Sequence, residues 1–382
     1  VDGVTGFDFA ARTRLVFGPG ALEQLGDLAR EAGFHRALLV SDPGLAVTGH
    51  PERARRLLER AGIEVAPFHD FEAEPDADMA EAGAVAARAA GVDSIVAVGG
   101  GSSLDCAKGL NFLLTGGGRM ADYRGYGKAK APMLPMIAVP TTAGTGSEAQ
   151  SYALISDSRT HEKMACGDPK AAFRVAVLDP ELTVSLPRAA TAATGYDALS
   201  HAVESYVTTR RNALSAVFAR EAFRLLEGHF ERVLDAPSDL GGRSAMLLGA
   251  HLAGLAIEAS MLGATHACAN PLSARYGTVH GVAIALLLPH VVRWNAGVVG
   301  PLYADLLRAA GGVPGPEPAR ALADRLEELA VHAGLPRGLR AAGVPRDDLP
   351  ALAGHAAEQW TGRFNPRPFD ARGALELYEG AY

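Results

Sequence analysis

Apolar and polar positions change rhythm near the middle of the chain. In the first half, short aliphatic runs alternate with stretches in which apolar residues return every three or four positions. RALLV (36–40), SIVAVGG (94–100) and PMIAVPTT (135–142) have the length and composition of buried strands. ALEQLGDLAREAG (21–33) and ERARRLLERAGIEV (52–65) carry the helical period near them. Strands alternating with helices predict a mostly parallel sheet of the α/β class. YALISD (152–157) and KMACG (163–167), separated by the polar SRTHE, predict a β-hairpin attached to that sheet. After LDPELTVSLP (178–187) the strand signal fades, and long apolar periodicities such as MLLGAHLAGLAIEASMLG (246–263) predict an all-helical second half. Prolines near 180–187 interrupt either kind of element. The expected division is a Rossmann-like α/β domain over residues 1–185 and a helical domain over residues 186–382.

Two glycine turns follow predicted strands. VAVGGGSSLDCAK (96–108) ends a strand in Gly99, Gly100 and Gly101 and opens a helix at Ser102, Ser103, Leu104 and Asp105. Glycines let the backbone approach a ligand, and amides at a helix start favour a pyrophosphate. The spacing departs from GxGxxG, and a strand–glycine–helix turn is also an ordinary connection. VPTTAGTGSEAQ (139–150) adds the hydroxyls of Thr141, Thr142, Thr145 and Ser147. Ligands of open parallel sheets bind outside the carboxyl ends of the strands, so both turns could face one crevice. Asp42, just after RALLVS, could accept hydrogen bonds from an adenosine ribose while repelling a 2′-phosphate, or it could cap a helix.

The helical half holds the other candidate chemistry. ATGYDALSHAVESY (193–206) places Asp197 and His201 four apart, on one face of a helix. GATHACANPLSARYGTVHGVAIALLLPH (263–290) keeps His266 and His280 in an apolar run, where they reach the first pair only through tertiary folding. One carboxylate and three neutral imidazoles suit a divalent iron or zinc ion with an open position for substrate. His290, His251 and Cys268 read as core residues, Cys268 with a soft ligand role as the alternative.

Composition narrows the partners. At 382 residues two domains are expected, and a net charge of −7 argues against a nucleic-acid surface. Three widely spaced cysteines fit a reducing compartment. The N-terminal stretch has no signal-peptide pattern and no charge-free apolar run approaches a membrane span, so a soluble, cytoplasmic protein without membrane partner is expected.

Taken together, GGGSSLDCAK, PTTAGTGSE, LDPELT, TGYDALSHAVESY, GATHACANPL, TVHGVAIALLLPH and the NPRP at 365–368 resemble the iron-containing, group III alcohol dehydrogenases across nearly the whole chain. The resemblance implies an N-terminal dinucleotide-binding domain, a C-terminal helical metal-binding domain and a deep cleft for cofactor and metal. It implies Asp197, His201, His266 and His280 as ligands of Fe2+, with Zn2+ the alternative. It implies NAD contacts from Gly99, Gly100, Gly101, Ser102, Asp105, Thr141, Thr142, Thr145, Ser147 and Lys163, with Asp42 setting NAD preference. The implied activity is NAD(H)-linked alcohol oxidation or aldehyde reduction on a small substrate by a homodimer or higher homo-oligomer. A transhydrogenase acting on hydroxy and oxo acids, or a dehydroquinate-synthase-like lyase, are the rivals; Arg275, in the metal segments, reads as a surface charge rather than a substrate contact. Three places depart from the family pattern: Glu74 where an Asn is common, GGGSS for GGGSP, and Asn270 for a histidine on the substrate side.

Overall fold

The computed structural model describes residues 6–71, 75–160 and 162–382; Glu74 lies outside the described residues. The described residues divide into two compact units, one of residues 10–142 and 146–186, the other of residues 187–382 with 143–145 and 6–9. The turn at 143–145, read from sequence with the α/β half, thus belongs to the helical unit.

The first unit runs β1 (Arg14–Phe17), α1 (Leu25–Glu31), β2 (Arg36–Val40), α2 (His50–Arg60), β3 (Glu64–Phe68), α3 (Ala77–Ala90), β4 (Ser94–Gly99), α4 (Gly101–Gly116), β5 (Gly125–Tyr126), β6 (Met136–Pro140), β7 (Tyr152–Ser156), β8 (Lys163–Gly167) and β9 (Val175–Leu178). Six strands form one sheet in the order β1-β9-β6-β4-β2-β3, every pairing parallel. Both faces are buried because successive residues point to opposite sides. Leu38, Val40, Ile95, Ala97, Met136 and Ala138 enter one core, and Ala37, Leu39, Val96, Val98, Ile137 and Val139 the other.

Two sequence expectations are corrected here. The helical stretch expected over 52–65 stops at Arg60, because Gly62 turns with φ 81° and the residues from Glu64 pair with β2. That strand holds Pro67, which is tolerated since β3 is an edge. The hairpin of β7 and β8 pairs antiparallel as expected, yet it joins β5 in a separate three-stranded sheet instead of extending the main one.

The chain leaves β2 toward β3 on one side and resumes at β4 on the other, so strand direction of travel reverses between β2 and β4. Crevices at such a reversal, outside the carboxyl ends, are where ligands bind. Asp42 follows β2 there and Gly99–Gly101 follow β4. Gly99 pairs with Pro140, and the Thr141 amide donates to the Gly99 carbonyl at 2.9 Å, which sets the second turn beside the first.

The second unit consists of α5 (Arg188–Val207), α6 (Ala213–Asp235), α7 (Leu240–Ala259), α8 (Ala264–Tyr276), α9 (His280–Trp294), α10 (Ala296–Ala309), α11 (Pro318–His332), α12 (Leu349–Glu358) and α13 (Ala371–Gly380). Its core gathers Tyr196, Leu199, Phe223, Leu226 and Phe230 with aliphatics of α9 and α11. α7 is long and apolar enough to cross a membrane by length and composition, but 61% of its apolar window is buried inside the unit, as in a core helix. α5 is buried around most of its circumference from Thr191 onward, which erases the amphipathic signal an outer helix would show. α9 meets it without a side chain between them: a Cβ on Gly281 would stand 2.0 Å from the Ala193 carbonyl oxygen.

Gly281→Ala must therefore push two helix backbones apart. The expected loss is about 1–3 kcal/mol of stability, read as a lower denaturation midpoint in urea with an unchanged slope.

Candidate functional site

Asp197 and His201 lie one turn apart on α5, His266 is the third residue of α8, and His280 is the first of α9. The structure brings all four together around one atom. Asp197 Oδ1 is 3.5 Å from His201 Nε2, 3.6 Å from His266 Nε2 and 3.8 Å from His280 Nε2. Ligands at bonds of roughly 2.0–2.2 Å in a tetrahedron stand about 3.4 Å apart, so a small contraction would close Asp197, His201 and His266 on one ion, and His280, 3.8 Å from Asp197, would move further to join them. Asp197, His201 and His266 are buried, and their ligand atoms lie within 4.8 Å of one another. Asp197 Oδ1 and His266 Nε2 are buried without a hydrogen-bond partner. Orphaned buried atoms of that kind are costly, and a cation coordinated by them removes the cost. The donor set and its burial fit a divalent metal.

Glu204, one turn beyond His201 on α5, completes the arrangement. Its Oε2 accepts from His266 Nδ1 at 2.5 Å and its Oε1 from the Thr265 amide at 2.7 Å. This fixes the ring so that Nε2 is the atom turned toward Asp197. Burial pushes the Asp197 carboxyl upward, but the imidazoles of His201, His266 and His280 outweigh it and hold it below the usual range. Burial also lowers His201. His266 feels the same burial, yet Glu204 and Asp197 raise it to about 9. Two buried carboxylates thus demand positive charge at this spot. Sequence reading missed Glu204, although its spacing of seven from Asp197 puts it on the same helix face.

In the α/β unit, the turn after β4 depends on glycine at one position. Gly99 has φ 152°, and a Cβ there would stand 2.2 Å from Ser103 Oγ. Gly100 is the N-cap residue of the sixteen-residue α4 and offers no side chain to its first amides. Asp42 does cap a short 3-10 helix, accepting from the Leu45 amide at 3.1 Å. Its other oxygen accepts from Ser103 Oγ at 3.3 Å, which places the carboxylate beside the glycine turn. Ser103 stands where the family pattern has proline, a residue with no hydroxyl to make this bond.

Asp105 and Ser147, expected as cofactor contacts, also meet each other. Ser147 Oγ donates to Asp105 Oδ1 at 2.6 Å, and both residues are buried. Fully buried Lys108 donates to the Ser147 carbonyl at 2.7 Å, to Ser147 Oγ at 2.8 Å and to the Tyr152 carbonyl at 2.7 Å. Burial raises the Asp105 carboxyl, with Lys108 and Ser147 opposing. The three side chains lock α4 to the second turn. Lys108 was also missed from sequence, where its i, i+3 spacing from Asp105 was the available signal.

Other candidates fall into place. Lys163 is half-buried on β8, close enough for its charge to act on Asp105. Asn270 lies one turn beyond His266 and donates through Nδ2 to Gln359 Oε1 at 3.1 Å. Arg275 pairs with Asp348 at 2.9 Å, in keeping with a surface charge. His251 and Cys268 are buried in the helical unit, and burial lowers His290.

Comparison with known proteins adds to this geometry. Residues 12–180 match the family described as iron-containing alcohol dehydrogenase, and residues 191–382 match its C-terminal counterpart, described as Fe-containing alcohol dehydrogenase family, C-terminal. Alcohol dehydrogenase 4 of Schizosaccharomyces pombe is 36% identical over 353 residues, 92% of this chain and 83% of that protein. The NAD-dependent methanol dehydrogenase of Bacillus methanolicus is 32% identical over 370 residues, 96% of this chain and 97% of that protein. A crystal structure of 1,3-propanediol oxidoreductase superposes with a TM-score of 0.95 at 33% identity, covering 99% of this chain and 100% of that one.

Glu204→Gln keeps an acceptor for the Thr265 amide but removes the charge facing His266. Affinity for a divalent ion is expected to fall about 10- to 100-fold, measured by metal retention against a competing chelator.

Proposed function

The chain belongs to the iron-containing alcohol dehydrogenase family, and on that premise we propose that it transfers hydride between NAD(H) and a small alcohol or aldehyde. The observation that carries the reading is the meeting of Asp197 Oδ1 with three imidazole Nε2 atoms inside an apolar helical unit. Asp197, His201, His266 and His280 would hold divalent iron, with zinc as the alternative. Such an ion would supply Lewis-acid polarisation of the substrate oxygen, and a bound nicotinamide would supply the donor or acceptor of hydride.

The chain's own residues bind and orient. Glu204 holds His266 in the tautomer that leaves Nε2 free for coordination. The amides at the start of α4, reached through Gly99, Gly100, Gly101 and Ser102, are suited to a pyrophosphate. Thr141, Thr142, Thr145 and Lys163 supply further polar groups for the cofactor, with Asp105 and Ser147 supporting the loop from behind. Asp42, at the reversal between β2 and β4, suits a ribose with free hydroxyls and disfavours a 2′-phosphate by like charge. Asn270 contributes an amide on the substrate side, where it hydrogen-bonds without titrating near neutral pH. A cytoplasmic homodimer or higher homo-oligomer completes the proposal, and sedimentation measures that part directly.

Purified protein should carry about one divalent ion per chain and lose turnover with a chelator, followed by metal analysis and by NADH absorbance at 340 nm over a panel of aldehydes. His280→Ala is expected to lose both metal and turnover; retention of both would overturn the ligand set.

Wild type should prefer NADH, and Asp42→Gly should narrow the preference by about 10-fold or more, as expected for removal of a like-charge contact worth roughly 1–2 kcal/mol. The ratio of kcat/KM for NADH and NADPH measures it, and a wild type favouring NADPH would refute the assignment.

A further inference from the structure

The NPRP segment at 365–368 contains none of the proposed ligands, yet its first residue reaches the metal-bearing end of α8. Asn365 is buried, and its Oδ1 accepts from the Ala264 amide at 3.3 Å and from Asn295 Nδ2 at 3.1 Å. In return its Nδ2 donates to Asn295 Oδ1 at 2.9 Å and to the Arg367 carbonyl at 2.8 Å. Asn295, buried as well, is the C-cap residue of α9. Arg367 donates to the Trp294 carbonyl at 3.0 Å and lies 3.9 Å over the Trp294 ring, so the segment is clasped to the end of α9.

α8 starts without a local cap. Its N-cap residue is Gly263, which offers no side chain, while the first amides of any helix need acceptors from outside it. Here they come from distant elements: Asn365 serves Ala264 and Glu204 serves Thr265. Glycine leaves room for this, since a Cβ at 263 would stand 3.0 Å from both Asn365 Oδ1 and Glu204 Oε1 and would press on both acceptors. The next residue is His266, whose Nδ1 meets the same Glu204. Three consecutive residues are thus placed by two side chains brought from elsewhere. The void bordered by Glu204, Gly263, Asn295, Tyr303 and Asn365 measures about 10 Å³, at the lower limit for a single water, so direct contacts set the spacing there.

We propose that Asn365, braced by Asn295, is a positioning residue for His266: it anchors the N-terminus of α8 so that the imidazole meets Glu204 and the metal position together. The proposal rests on the metal reading given above. A segment that merely fastened the C-terminal part of the chain would add stability and leave metal affinity alone.

The test is the affinity of metal-free protein for Zn2+, by competition with a chromophoric chelator, alongside the urea midpoint. Asn365→Ala is expected to weaken zinc binding about 10-fold or more. Asn295→Ala should weaken it in the same direction and by less, because the acceptor for Ala264 remains but loses its brace. Leu234→Ala, a core truncation on α6, which bears no ligand, should lower the midpoint without moving zinc affinity. Zinc binding by Asn365→Ala equal to wild type overturns the proposal while leaving the metal reading intact. Should Asn365→Ala not fold, Asn295→Ala decides in the same way, unchanged affinity overturning the proposal. A wild type that binds no zinc, or binds it no better than His266→Ala, overturns the metal reading itself.

Discussion

Two carboxylates buried on one helix set the terms for the helical unit. Asp197 and Glu204 face the same way from α5, inside a core of aliphatic and aromatic side chains. Such charges cannot stay in a low-dielectric interior without positive partners, and the groups facing them are imidazoles and backbone amides rather than lysines or arginines. Bringing those partners close explains features that look unrelated along the chain. α8 and α9 both begin at the site, so His266 and His280 sit on first turns whose amide dipoles favour negative charge. Gly281 lets the α9 backbone approach that of α5, and Gly263 lies close to the α5 side chain of Glu204. One electrostatic demand is met by helix starts, glycine positions and ring orientation together.

The α/β unit offers a candidate anion site of a different make. Its candidate phosphate site is made of backbone amides at the end of β4 and the start of α4, and side chains act mainly to hold that backbone still. Lys108, Asp105 and Ser147 do so from beneath, through hydrogen bonds that tie α4 to the second turn. The helical unit thus presents side chains from a rigid frame, while the α/β unit presents main chain from a braced loop. Substitutions should be felt differently in the two: by side-chain chemistry in the first, by backbone conformation in the second.

How much of this was legible follows the same division. Strands β2, β4 and β6 were readable because both faces of each are buried, giving continuous aliphatic runs. β1 and β3 were not, since edge strands are half exposed and β3 carries a proline. The spacing of Asp197 and His201 showed a shared helix face, but their meeting with His266 and His280 depends on how α8 and α9 dock, which local pattern does not encode. The family resemblance supplied that grouping. Glu204 and Lys108 escaped notice because a charged residue in a helix is ordinarily solvated, and only burial distinguishes them. Asp105 and Ser147 were singled out by their glycine-rich motifs, but their hydrogen bond to each other, 42 residues apart in the chain, is tertiary and has no local signal.

On the proposed coenzyme reading, Asp42 joins two properties that an engineer of coenzyme use would wish to treat separately. One oxygen caps the helix that follows β2, and the other lies beside the turn after β4. Opening the site to a phosphorylated ribose by deleting this side chain would also uncap that helix and leave Ser103 Oγ with the Asp42 amide but without its carboxylate acceptor. Changing coenzyme would then cost rigidity in the loop meant to receive it. Asparagine or serine keeps the cap and discards the charge, so redesign is better begun from those two residues than from the smallest one.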